Sequence, residues 1–345
     1  MKRQRVNSNQ VSRFTLAFLG ILLIFGLRLI ALRSDPFLKL DWSAGLMNDE
    51  GFNIHNARNL ILFGHASTDE YNNMLFSPLY HFAQVGVFTV FGVGSVQARM
   101  ISVGCSLLTL LFLWAGLKRA FDKRIAFTAL LFLGLDHTNL LYNRMALMDT
   151  PAALLAVMAF YAFVRGAIQE REAITRNQKW LWLMACGALI ALAVTVRTVS
   201  IYLLAVPFVA LGIQIFRGSA VEASSSSRSK RRFSWEEFVL LSLAAFGILG
   251  LYFLLWYWPH HAEMTAMSHY YRARQIPSSF ARLGGNLYNA ALGDMRGLST
   301  YLFHHTPVVF TLALLGLMLR PRTRAHPVET YLIAWLLLGW GMLAV

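Results

Sequence analysis

Two short acidic segments hold residue types that could catalyse a reaction. Asp49-Glu50 opens a helix-like apolar pattern, which predicts a short surface helix that starts at Asp49. Further along, Arg144 precedes Asp149. A carboxylate can serve as a general base, and an arginine can bind a phosphate through two parallel hydrogen bonds. Each acidic segment also has a structural interpretation, in which Asn48 or Asp49 in the first and Asp149 in the second only cap a helix.

The composition excludes a soluble globular enzyme. The chain of 345 residues is 57% hydrophobic and only 14% charged, whereas soluble domains carry about 25% charged residues. A net charge of +14 would point to nucleic acid in a soluble protein, but the Lys and Arg residues lie in clusters between apolar runs. We therefore expect contacts with membrane lipids and none with nucleic acid. Cys105 and Cys186 lie within apolar runs, where we expect buried thiols.

Apolar runs that reach or approach the length of a membrane span recur along the whole chain. They predict an all-α, polytopic integral membrane protein with about nine transmembrane helices. The runs are 14–32, 97–117, 125–143, 150–167, 180–196, 199–216, 235–258, 301–319 and 328–345. Within 125–143, Asp136 either faces an internal cavity or lies at the interface because the span ends near Leu135.

Five basic clusters determine the expected orientation. By the positive-inside rule they lie in the cytoplasm, which leaves both acidic segments on the outer face. The clusters fall within residues 2–13, 118–124, 165–179, 217–232 and 320–324. The outer segments are then 33–96, 144–149, 197–198 and 259–300.

The apolar stretch 78–93 is short for a membrane span. It also lies between the spans 14–32 and 97–117, and these two crossings already connect the basic cluster within 2–13 to the one within 118–124. Ser77 as N-cap and Pro78 at the first helical position predict a juxtamembrane helix on the outer face. The alternative is a tilted crossing paired with a re-entrant segment.

Four motifs, taken in order, resemble those of the GT-C glycosyltransferases, most closely the protein mannosyltransferase and lipid A aminoarabinose transferase type. The motifs are the Asp49-Glu50 pair after the first span, a helix from Pro78 to Gly92 that begins Pro-Leu-Tyr and ends Phe-Gly, Arg99 at the opening of the next span, and Arg144-x4-Asp149 at a hairpin tip. The resemblance covers residues 10–215 in order and extends more loosely to 345.

The resemblance implies a reaction and a role for several residues. The reaction is transfer of a sugar, with inversion, from a polyprenyl-phosphate donor to a lipid, glycan or protein acceptor at the outer face of a bacterial plasma membrane. Asp49 matches the family's general base, Glu50 its adjacent acid and Asp149 a second acid of the active site. Arg197 matches a basic position near the lipid phosphate. Some relatives have a charged residue just before the outer helix, where this chain has Phe76-Ser77.

Cations on the outer face are the candidates for substrate binding. They are Arg58, Arg144, Arg197, His269, Arg272 and Arg274. Each arginine either binds the donor phosphate or only reaches towards lipid headgroups. The adjacent histidines at 260–261 and 304–305 cannot both point the same way on a helix, so no metal site is predicted, and a divalent cation stays open as a cofactor.

We divide the chain into three parts. Residues 1–216 form a GT-C-like transmembrane module that includes the outer loop 33–96, residues 217–234 form a basic, Ser-rich cytoplasmic linker, and residues 235–345 add further spans with the outer loop 259–300. The last part ends inside an apolar run, from which we expect that the complete protein continues.

Two other functions stay open at this point. A transporter or flippase of lipid-linked precursors would also place charged residues in a cavity, and a non-catalytic relative would share the motifs. The sequence contains no internal repeat, and its acids gather at one membrane face. Both features favour chemistry at that face over translocation.

Overall fold

The fold is taken from a computed structural model that describes residues 8–30, 32–33, 44–66, 74–167, 175–222, 235–275 and 327–342. Every regular element in these ranges is a helix. The α-helices are α1 (Ser8–Leu29), α2 (Ala44–Phe63), α3 (Pro78–Phe91), α4 (Ser95–Ala120), α5 (Lys123–Leu135), α6 (His137–Tyr142), α7 (Asp149–Ala167), α8 (Arg176–Val196), α9 (Ala205–Glu222), α10 (Trp235–Tyr252), α11 (His261–Gln275) and α12 (Pro327–Met342). A 3₁₀-helix, Thr198–Leu204, precedes α9, and a π-helix, Phe253–Tyr257, follows α10.

In the described ranges, five helical stretches are long and apolar enough to cross a membrane. They are Ser95–Ala120, Asp149–Ala167, Arg176–Val196, Thr198–Ile215 and Trp235–Tyr257. Two shorter apolar helices, Leu19–Leu29 and Pro327–Gly339, coincide with the predicted spans at the two ends of the chain. The all-α polytopic class is therefore confirmed. The predicted span 301–319 lies outside the described residues, so the number of nine spans stays a prediction.

The predicted span 125–143 is not one continuous helix. α5 ends at Leu135, and Asp136 takes an extended conformation between α5 and α6. The carboxylate of Asp136 accepts the backbone N–H of Asn139 at 2.8 Å, which caps α6. The helix therefore ends at Leu135, as the second interpretation predicted, and the depth of Asp136 in the membrane stays a prediction.

The predicted start of α2 at Asp49 is wrong. The helix begins at Ala44, because the apolar residues before Asn48 continue the helical pattern towards the N-terminus. No acid lies in the first turn of α2, so neither Asn48 nor Asp49 caps it. Asp49 lies beyond the first turn of α2, so the helix dipole acts on it only weakly.

The central helix of the fold is α7, which packs most extensively against α8 and α4. Buried Phe160 and Phe163 of α7 meet Leu183 and Ile190 of α8 in the main apolar cluster. α8 also lies very close to α10 at Gly187, where a Cβ atom would meet the carbonyl oxygen of Leu241 at 2.4 Å. This packing makes the ends of α4, α7 and α8 a rigid frame.

Each of the helices α4, α7 and α8 has basic residues at the end that lies on one common side of the helix assembly. α4 ends with Lys118 and Arg119, α7 has Arg165 in its last turn, and α8 begins near Arg176 and Lys179. The opposite ends carry the start of α4, the start of α7 and the end of α8. Arg99, Asp149 and Arg197, which belong to the candidate site, lie at those opposite ends.

Candidate active site

Glu50 of α2 and Arg99 of α4 form a buried ion pair with two hydrogen bonds. Nε of Arg99 donates to Oε1 of Glu50 at 2.7 Å, and Nη2 donates to Oε2 at 2.6 Å. The side chains of Arg99 and Glu50 are only 4% and 7% exposed. Nη1 of Arg99 donates to the carbonyl oxygen of Leu32 at 2.8 Å. Because buried charges are tolerated only with such partners, the pair joins α2, α4 and the segment after α1 into one unit.

Glu50 also holds the loop between α6 and α7, residues 143–148. The backbone N–H of Ala146 donates to Oε1 of Glu50 at 2.9 Å. On either side of Ala146, Met145 and Leu147 are buried. The path of this loop, which leads directly to Asp149, therefore depends on Glu50.

A second ion pair lies where α7 begins and α8 ends. Asp149 is the first residue of α7, and Arg197 directly follows α8. Nε of Arg197 lies 3.2 Å from Oδ1 of Asp149, and the two side chains are 40% and 45% exposed. In contrast to the buried pair, both charges are accessible to a ligand. A carboxylate in the first turn of a helix is also favoured by the helix dipole.

Ser77 connects α3 to the end of α8. Its hydroxyl donates to the carbonyl oxygen of Val196 at 2.5 Å. Ser77 stands at the N-cap position of α3, as predicted, but its side chain makes no capping bond there. Nearby, Tyr80, Met148 and Val196 share one buried apolar cluster. The two ion pairs thus belong to a single packed end of the helix assembly.

Arg144 lies half-buried in the 143–148 loop. Its Nη2 donates to the carbonyl oxygen of Ile30. Burial, and to a smaller extent the charge of Arg99, lowers the pKa of Arg144. Of the predicted substrate-binding residues, Arg144 and Arg197 therefore lie at the site.

The other predicted residues are placed less completely. Arg58 is exposed on α2, and its Nε and Nη2 donate to the side-chain oxygen of Asn59 at 3.1 and 2.9 Å. Asp49 precedes Glu50 in α2, and His269, Arg272 and Arg274 lie on α11. For these four residues the structure describes the helical backbone only. Their roles stay predictions.

The histidines at 260–261 bond to their own helix. Nδ1 of His260 donates to the carbonyl oxygen of Trp256 at 2.8 Å, and Nδ1 of His261 donates to that of Trp258 at 2.7 Å. In the part of the chain that the structure covers, no group of three or more His, Cys, Asp or Glu side chains is arranged to hold a metal ion. The pair at 304–305 lies outside the described residues.

The pairing of Glu50 with Arg99 was not predicted from the sequence. A signal for this pairing existed, because an arginine inside an apolar span needs an acid or a carbonyl partner. The hydrogen bond from Ser77 to Val196 had no sequence signal, since it joins positions 119 residues apart.

Comparison with known proteins gives one family match and two matching structures. Residues 76–223 match the family model described as dolichyl-phosphate-mannose-protein mannosyltransferase. The fold matches that of ArnT from Cupriavidus metallidurans in two crystal structures, one bound to undecaprenyl phosphate and one in the apo state, with TM-scores of 0.53 and 0.52. The chain shares the fold of ArnT. The predicted resemblance is confirmed at that level.

The match to ArnT covers nearly all of this chain but only part of ArnT. The alignments to ArnT cover 96% and 97% of this chain at 16% and 17% identity, and the chain spans 59% of each ArnT chain. No curated protein matches the sequence. The matched family segment begins just before α3 and ends after α9. It therefore contains Arg99, Asp149 and Arg197 and leaves out Asp49 and Glu50.

Proposed function

We propose that this chain transfers a sugar from a polyprenyl-phosphate donor to an acceptor at the outer face of the membrane, with inversion. The observation that carries the proposal is the accessible Asp149–Arg197 pair, held in the fold shared with ArnT beside the buried Glu50–Arg99 pair. A matched ArnT structure is bound to undecaprenyl phosphate. That ligand supports a polyprenyl phosphate as the lipid part of the donor.

In this proposal Arg197 binds the donor phosphate. Its contact with Asp149 uses Nε, and its side chain is 40% exposed. As the sugar leaves, negative charge grows on the phosphate. A guanidinium already held in place by Asp149 stabilises this charge more in the transition state than in the bound donor.

Asp49 is the proposed general base, on the strength of the family resemblance. The acceptor oxygen attacks the anomeric carbon from the face opposite the phosphate, and the bond between that carbon and the phosphate oxygen breaks. The proton of the acceptor hydroxyl passes to Asp49 as this bond breaks. The backbone of Asp49 is placed by its neighbour Glu50, which Arg99 and Ala146 hold.

Glu50 itself acts as a positioning residue in this scheme. Both of its carboxylate oxygens accept from Arg99, and Oε1 also accepts from Ala146. Both oxygens of this buried carboxylate are already engaged by these donors, so we assign Glu50 to holding the site and not to accepting the proton of the acceptor hydroxyl. Proton transfer therefore falls to Asp49.

The distribution of charge supports an outer location for the site. The described basic residues Lys118, Arg119, Arg165, Arg176 and Lys179 all lie at the ends of α4, α7 and α8 that are remote from the two ion pairs. The positive-inside rule assigns such ends to the cytoplasm. The ion pairs then face the outside.

The test uses the purified chain in lipid nanodiscs that contain polyprenyl-phosphate mannose or polyprenyl-phosphate aminoarabinose, with bacterial membrane lipids as the acceptor source. Release of polyprenyl phosphate is measured. Asp49→Asn should lower turnover by at least ~10²-fold at unchanged folding, which is the scale of general base catalysis. The matched control is Glu236→Gln, an exposed acid at the other end of the helices, which should keep turnover.

Two results would overturn the proposal. One is near-normal turnover by Asp49→Asn, which would remove the base. The other is the absence of turnover by the unmodified chain with both donors.

A further inference from the structure

Arg28, in the last turn of α1, is a fully buried cation. Its side chain is 0% exposed. Nε donates to the hydroxyl of Ser106 in α4 at 3.1 Å. Nη1 donates to the carbonyl oxygens of Ile24 in α1 at 2.9 Å and of Gly134 in α5 at 3.0 Å. A single side chain thus joins three helices.

Neutral oxygen atoms, and not an acid, stabilise the charge of Arg28 in the described part of the chain. In the described residues its oxygen partners are one hydroxyl and two carbonyls. Gly134 lies in the last turn of α5, where the helix dipole is negative and the carbonyl lacks a partner within the helix, whereas Ile24 lies in the turn before the last of α1. α5 ends early because of the break at Asp136, which leaves the Gly134 carbonyl available.

The sequence is suited to this contact at Gly134. A Cβ atom there would lie 2.8 Å from the side chain of Ile24. The glycine therefore allows α1 to approach α5 closely enough for Arg28 to reach it. A buried charge inside an apolar segment is costly and by default indicates a functional role.

The segment just after Arg28 supports the active site. The carbonyl oxygen of Ile30 accepts from Arg144, and that of Leu32 accepts from Arg99. Both acceptors are within four residues of Arg28. Because the two carbonyls follow so closely in the chain, the position at which Arg28 holds the end of α1 also determines where they lie.

We propose that Arg28 is a positioning residue: by tying the end of α1 to α4 and α5, it places the Ile30 and Leu32 carbonyls that hold Arg144 and Arg99. Arg99 in turn holds Glu50, and Glu50 holds the 143–148 loop that leads to Asp149. The catalytic consequence of this inference rests on the proposed function. The structural consequence does not.

The test is hydrogen exchange, read by mass spectrometry, on the full chain in nanodiscs. In Arg28→Met, which keeps side-chain length and removes the charge, the peptide that contains Ala146 should exchange at least ~10-fold faster through local opening, while peptides of α8 and α10 exchange as in the unmodified chain. Arg28→Lys keeps the charge but cannot span both carbonyls. It should show the same change to a smaller degree, and it decides the matter if Arg28→Met does not fold.

The matched control is Arg165→Met, which removes a half-buried arginine from the opposite end of α7. It should leave the exchange of the Ala146 peptide unchanged. Unchanged protection of Ala146 in the Arg28 variants, or an equal loss in Arg165→Met, would overturn the inference. Because no donor is present in this experiment, its outcome is independent of the proposed function.

Discussion

Loss of either charge of the Glu50–Arg99 pair should destabilise the protein strongly. The two side chains are only 7% and 4% exposed. Removing one partner of a buried ion pair typically costs about 3–5 kcal/mol, because the other charge stays buried. That is a large part of a typical free energy of unfolding of about 5–15 kcal/mol. In Arg99→Met, Glu50 would keep only the N–H of Ala146 as a described partner.

The assay is thermal unfolding of the purified chain in nanodiscs. With about 2–4 °C of melting temperature for each kcal/mol in mid-sized domains, Arg99→Met should melt roughly 10 °C lower. Glu50→Gln should behave similarly. The double variant Glu50→Gln/Arg99→Met should recover part of the loss, because its Gln oxygen still accepts from Ala146 and no unpaired charge is left.

Arg197→Ala provides the contrast for this experiment. Its pair with Asp149 is 40% and 45% exposed, and exposed pairs contribute about 0–1 kcal/mol. It should therefore melt within a few degrees of the unmodified chain. The reasoning is refuted if Arg99→Met melts as Arg197→Ala does, or if the losses of the two single variants simply add in the double variant.

Three other predictions follow from the described packing and charges. Burial lowers the pKa of His81 to about 4. Between about pH 6.5 and pH 4 the unfolded chain therefore binds a proton that the folded chain does not, and the free energy of unfolding should fall by the order of 3 kcal/mol as the pH drops through that window. Thermal melts should show this fall in the unmodified chain, and most of the fall should be absent in His81→Gln. Gly187→Ala should cost about 1–3 kcal/mol, since its Cβ would collide with the Leu241 carbonyl of α10, whereas Gly247→Ala on α10, which meets nothing within 4 Å, should melt unchanged. A membrane-impermeant thiol reagent should label a cysteine at exposed His65 in intact cells and miss one at exposed Lys123; the reverse pattern would place the ion pairs in the cytoplasm.

The fold was largely predictable because membrane spans have a strong composition signal. The limits of α7 and α8 agree with the predicted spans to within a few residues, since Asp149 and the basic cluster at 165–179 interrupt the apolar runs. The start of α3 at Pro78 was predictable because proline suits only the first turn.

The errors came from local sequence signals that are compatible with more than one structure. Asp49 looked like a helix start, but the preceding apolar residues are equally good helix formers, and α2 begins at Ala44. α9 continues to Glu222, which takes it into the predicted linker. In both cases the pattern of polar residues alone does not fix the end of a helix.

The residues of the two ion pairs could be named from the sequence, but which residue pairs with which could not. The pairing of Asp149 with Arg197 depends on how α7 packs against α8. The pairing of Glu50 with Arg99 depends on how α2 lies relative to α4. Hydrophobic patterns fix which face of a helix is buried, but they do not fix which polar groups meet at its end. Arg28 was missed, because two of its three oxygen partners are backbone carbonyls, which carry no sequence signal.

The central claim is that Arg197 binds the phosphate of a polyprenyl-phosphate donor. Its most direct test is the affinity of the purified chain for undecaprenyl phosphate, compared between Arg197→Ala and Arg176→Ala. The two variants remove one acid-paired arginine from opposite ends of the same helix, since Arg176 pairs with Glu236 and Arg197 with Asp149. A charged hydrogen bond of about 1.5–3 kcal/mol predicts that Arg197→Ala binds roughly 10- to 100-fold more weakly, while Arg176→Ala binds as the unmodified chain does. Equal affinity in all three proteins, or an equal loss in both variants, would contradict the account.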